Sequence, residues 1–165
     1  MTPYPERRFR FWRGWLLVAT AIFAVQALSW VFIGSFDPFG IYDGLLARAL
    51  YGTDTLPADA ALLFRFAVVP LGATTAGYFV LAHAIVRFAF PRRERWAWWA
   101  VTGAIAVWFV FDSAFSIWHG AAFNVFLVNI PCVVILGVPL GALWPAFQHS
   151  ANQPRATETA KEEQS

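Results

Sequence analysis

The chain is short of charge, of cysteine and of lysine, and each shortage removes a class of protein. Charged residues make up 13% of its 165 residues, against about 25% in an average soluble domain. So few charges cannot coat a water-soluble globule. Cys132 is the single cysteine, which excludes an intrachain disulfide and any cysteine-based zinc cluster; it reads as a small apolar residue packed in a helix. Lys161 is the single lysine, and arginine takes the place of lysine elsewhere, a compositional hint of a bacterial source. The basic residues fall in separate short clusters instead of one face interleaved with stacking groups, so no nucleic-acid partner is expected. No GxSxG, HExxH or P-loop pattern occurs, and no cofactor or metal is expected.

What the chain has in abundance is apolar and aromatic surface: 59% hydrophobic residues, nine tryptophans and seventeen phenylalanines. A domain of this size leaves about a third of its chain surface exposed, too much to hide such a load from water. The lipid bilayer is the expected solvent and first partner. Four runs are long enough to cross a hydrocarbon core of about 30 Å: residues 14–34, 61–88, 96–118 and 123–143. The expectation is an all-α integral membrane four-helix bundle occupying 14–145, with residues 1–13 as a basic N-terminus and 146–165 as a disordered tail. The first run is longer than a signal-peptide core and lacks a small-residue cleavage site, so it reads as a retained span. Between the first two spans, Ile41, Leu45, Leu46, Leu50 and Tyr51 recur at helical spacing. Together they predict a short amphipathic helix on the membrane surface or over the bundle mouth. Gly72, Ala73, Ala76 and Gly77 would let a neighbouring helix approach closely, and the short HGAAFN turn predicts an antiparallel hairpin of the last two spans.

Counting cations orients the chain. With the N-terminus inside, the inner side receives ten of twelve Lys and Arg residues and the outer side only Arg48 and Arg65, so both termini are expected in the cytoplasm of a bacterial inner membrane. Asp112 then lies in the outer leaflet, and Asp112, Ser116 and His119 share one helix face at i, i+4 and i+7. Arg65 enters from the same side at similar depth. An intramembrane charge is costly alone, so an Arg65 to Asp112 ion pair is predicted. Asn124 and Asn129 on the fourth span, Gln26 and Ser29 on the first, and Tyr42, Asp43 and Asp54 in the loop fall in the same region; the inner half offers His83 with Arg87.

Three readings of these residues stay open, one of them an ion or proton path. Hydrogen bonding between helices alone would explain them. Alternatively, Arg65, Asp112, Ser116, His119 and Asn129 would line an outward-facing polar pocket for a lipid-like ligand or a partner's helix. The first expectation for function is a non-enzymatic membrane protein. One alternative is a membrane enzyme acting on a lipid or quinone-like substrate with Asp112 and His119 as acid and base. The other is an accessory subunit of a larger complex or a homo-oligomer. Asp112, Ser116 and His119 are residue types of a hydrolase triad, but no oxyanion-hole glycines accompany them.

Overall fold

A computed structural model of the chain describes residues 4–35 and 39–149. Among these the protein is all-helical and without strands. The helices are α1 (Glu6–Ile33), α2 (Ile41–Tyr51), α3 (Ala58–Phe88), α4 (Arg95–Trp118), the single turn α5 (Ala122–Asn124) and α6 (Ile130–His149). A 3-10 turn, Phe90–Arg92, joins α3 to α4, and a π-turn, Val125–Asn129, joins α5 to α6. Helices α1, α3 and α4, and the composite Ala122–Gln148, are each long and apolar enough to span a membrane.

Two boundaries differ from the sequence expectation, for the same reason. Helix α1 starts at Glu6 instead of about residue 14, and α6 runs on to His149 instead of ending near residue 143. Phe9 and Phe147 lie at helical spacing within those extensions and bury each other, with ring centroids 6.3 Å apart. The tail expected from 146 therefore cannot begin before 150, and 150–165 lies outside the described residues, as does the turn expected at Asp37-Pro38.

The helices are arranged so that α1 packs along α3 on one side and α6 on the other, while α4 lies against α6 and shares little contact with α3. At the end carrying both termini all four meet around one buried cluster, which includes Leu16, Val86, Phe90, Trp98, Leu140 and Phe147. Lipid tails are as apolar as these side chains, so what they gain inside the bundle is close packing rather than escape from water. Phe90 meets Phe147 edge to face at 4.9 Å, and Trp98 meets Trp144 at 4.3 Å. Over this cluster Arg93 turns back, its backbone left-handed at φ 56, to stack on Phe9 and pair with Glu6 at 2.6 Å. Arg13 donates to the carbonyls of Val86 and Arg87, two of the last-turn acceptors that a helix leaves without a partner of its own.

Toward the other end the helices separate into two pairs. The α1–α3 pair closes on small residues: a Cβ at Gly72 would lie 2.8 Å from the Ala27 carbonyl oxygen and 3.1 Å from Trp30 Cβ, closer than packed atoms allow. Of the four small residues expected to permit approach, Gly72 and Ala76 are buried and Ala73 and Gly77 are exposed. In the termini half, Pro139, lacking an N–H, cannot bond the Ile135 carbonyl, and Trp15 Nε1 donates to it at 2.9 Å, tying α1 to α6. Helix α2 lies over the other end, closed by left-handed glycines at Gly40 and Gly52, with Tyr42, Leu45, Leu46 and Ala47 turned toward the bundle and Ile41, Leu50 and Tyr51 outward.

Candidate functional site

The polar residues of the α2 end gather on the α4–α6 hairpin, and the turn between those helices decides how. Gly120 adopts φ 75, and the Ala121 N–H bonds the Ser116 carbonyl while the Gly120 N–H bonds that of Ile117. This is the pattern by which a left-handed glycine stops a helix and turns the chain sharply back. His119 is thus the residue at which α4 ends, not a further step on its face.

The π-turn then brings two asparagines to one atom. In an α-helix residues five apart point about 140° away from each other, so Asn124 and Asn129 could not serve one acceptor. The i to i+5 bonding of a π-turn sets residues five apart nearly one above the other. Asp112 Oδ2 accepts from Asn124 Nδ2 at 2.8 Å and from Asn129 Nδ2 at 2.7 Å. A carboxylate only accepts, which orients both amides with nitrogen toward it. The same nitrogens reach Ser116 Oγ at 2.9 Å and Ser113 Oγ at 3.0 Å, and Tyr42 donates from α2 to Asn124 Oδ1 at 3.1 Å. Burial first, then the charges of Asp112 and Asp43, push the Tyr42 phenol up to about 12; it is a neutral donor at any ordinary pH. Asn129 is fully enclosed, and its Oδ1 has no hydrogen-bond partner.

Of the expected site, the structure joins Asp112, Ser116 and Asn129 and separates the other two. No ion pair links Arg65 to Asp112 among the described residues, whose ion pairs are Arg48–Asp54, Arg92–Glu94 and Arg93–Glu6. Equal depth gave one coordinate; the order of the helices gives the other. Arg65 is exposed on α3, its stem beside Gly34 at the end of α1, whereas Asp112 faces α6. His119 Nδ1 lies 2.9 Å from the Phe115 carbonyl oxygen, its ring tilted over that of Phe115 at 4.1 Å, and it has no bond to Asp112. Asn124 and Tyr42, expected in the same region, join the cluster, and Ser113 is an addition: one residue from Asp112, it was off the predicted face. In the termini half, His83 Nδ1 meets Thr20 Oγ1 at 3.1 Å, across the α1–α3 interface, in place of Arg87.

Asp112 has a second side. Among the described residues its Oδ1 takes no hydrogen bond, and it is not enclosed; the residue lines a concavity of about 610 Å³ along α4 with Val107, Trp108, Phe111, Phe115 and Trp118, His119 closing its end. The walls are strongly exposed, Phe111 at 72% and Trp118 at 86%. The groove opens laterally, toward where lipid would lie, about 9 Å below the end of α4 by helical rise. Comparison with protein-family models, with curated proteins and with solved structures finds no match for the chain.

Proposed function

We propose that the chain is a non-enzymatic multi-pass membrane protein that holds a lipid-like amphiphile in the lateral groove of α4. One observation carries this reading: Asp112 is fixed by two amides through one oxygen while its other oxygen remains free beside an aromatic groove. Amides that served only to tie α4 to α6 would have no need of a carboxylate presented outward, and a charge facing lipid is costly unless something meets it. The acid–base alternative has less support, since Asp112 and His119 are held by separate partners and no nucleophile is hydrogen-bonded to either. Eight arginines lie at the termini end and two at the α2 end among the described residues. That bias supports an orientation with both termini cytoplasmic and the groove in the outer leaflet of a bacterial inner membrane.

Native mass spectrometry of the detergent-extracted protein tests the reading. Ala114 lines the groove and is exposed, so Ala114→Trp fills it without entering the core. Wild type is expected to retain one amphiphile per chain, and the filled variant to lose it with its melting temperature unchanged. Equal lipid retention by both would overturn the proposal. Dimers or a co-purified membrane protein lost in the variant, with no amphiphile retained, would replace it by the partner-helix reading.

A further inference from the structure

Resting on the reading of the α4 groove as an amphiphile site, we infer that its ligand is a hydrophobic organic cation. An amine or quaternary ammonium head would sit on Asp112 Oδ1 against the ring faces of Trp108, Phe115 and Trp118. Three features select this chemistry. The first is charge: no side-chain cation lies within ion-pair distance of Asp112 among the described residues, so its negative charge is answered by amide dipoles on one oxygen alone. The second is the wall. Indole and phenyl faces carry negative electrostatic potential, and together with a carboxylate they are the groups that recognise ammonium ions. The third is the surrounding field. Among the described residues, Asp43, Asp54, Asp59 and Asp112 at this end face Arg48 and Arg65, and Arg48 is already tied to Asp54 at 2.9 Å. The excess is negative and attracts cations into the site.

Other ligand classes fit less well. An anionic head would be drawn to the arginines of the opposite end and repelled here. A metal ion needs several oxygen ligands, and among the described residues no three His, Cys, Asp or Glu side chains converge. A small hydrated cation would have to shed water at a depth where Asp112 is the one carboxylate and the rest of the wall is apolar up to His119. A cation with its own apolar tail meets both surfaces at once.

The test uses the full chain in dodecyl maltoside micelles, titrated with dodecyltrimethylammonium and, separately, with dodecanol, following tryptophan fluorescence. The expected result is saturable binding of both, with the cation tighter by about tenfold, the scale of one desolvated ammonium–ring–carboxylate contact. Asp112→Asn should bring the two affinities together while leaving dodecanol binding unchanged. Trp118→Leu, at an exposed position that the fold does not need, should lower the preference by about threefold, and carries the test if Asp112→Asn fails to fold. Equal affinity for cation and alcohol in wild type, or a preference that survives Asp112→Asn, would overturn the cation inference and leave the groove reading intact. Saturable binding of neither probe would overturn both.

Discussion

At the end carrying the termini, Phe9, Phe90 and Phe147 meet ring against ring, and the four long helices share one enclosed cluster. At the α2 end the same helices part into two pairs, one closed by the backbone contact at Gly72 and the other by amides on Asp112. The first end is stabilised by shape; the second is stabilised by direction, and leaves a face of α4 uncovered. Rings pack against any ring of the right size, so the termini end serves as a rigid base. Hydrogen bonds aim a group at a chosen point, and the α2 end uses them to hold a carboxylate at the groove.

The largest way to break this contrast is to hollow the base. Phe147 is wholly buried and touches Phe9 and Phe90, so Phe147→Ala should cost about 3 kcal/mol, at the lower end of the range for buried aromatics because lipid and detergent solvate exposed rings. Thermal unfolding in detergent would measure it. A loss no larger than that of an exposed Phe111→Ala variant would show that the base is not where the fold is held.

A smaller effect is expected in the polar half, and its form matters more than its size. Asn129→Leu leaves Asp112 with one donor, and Asp112→Leu leaves the Asn129 nitrogen with Ser113 Oγ as its remaining acceptor; each should cost about 1–3 kcal/mol. The double variant should cost clearly less than the sum, because residues in one network couple. Arg65→Ala should stay within about 0.5 kcal/mol, as for an exposed residue with no ion-pair partner among the described residues. Additive losses at Asp112 and Asn129, or a large loss at Arg65, would restore the ion pair that the sequence suggested.

Why the sequence pointed at Arg65 is instructive. Hydropathy and turn residues carry depth, so the spans, α2 and the polar band at Asp112 were legible, and Gly72 and Ala76 announced a close approach. Azimuth and helix order are not written in a run of apolar residues: α3 and α4 are neighbours in sequence, yet α3 sides with α1. The two asparagines were visible, but α-helical spacing turned them apart. The cue to the π-turn was Pro131, which cannot bond the Leu127 carbonyl and sits two residues after Asn129. Gly120 likewise marked the end of α4, and with it the removal of His119 from the face of Asp112.

The finest test concerns Tyr42, which bonds α2 to the amide cluster through Asn124. An ordinary tyrosine ionises near 10.0, and this one is pushed up to about 12 by burial and by the charges of Asp112 and Asp43. A group whose folded value is raised contributes in full below its unfolded value and loses that contribution as pH climbs through the folded one. The bond to Asn124 should therefore be intact through neutral and mildly alkaline pH, and fail between pH 10 and about 12. Subtracting the near-ultraviolet phenolate titration of Tyr42→Phe from that of wild type isolates this group from the other three tyrosines. The difference should stay near zero until about pH 11 and then rise. A full tyrosine's worth of absorbance at lower pH would mean that Tyr42 is not buried against the amide cluster, and that the polar half is held by the hairpin alone.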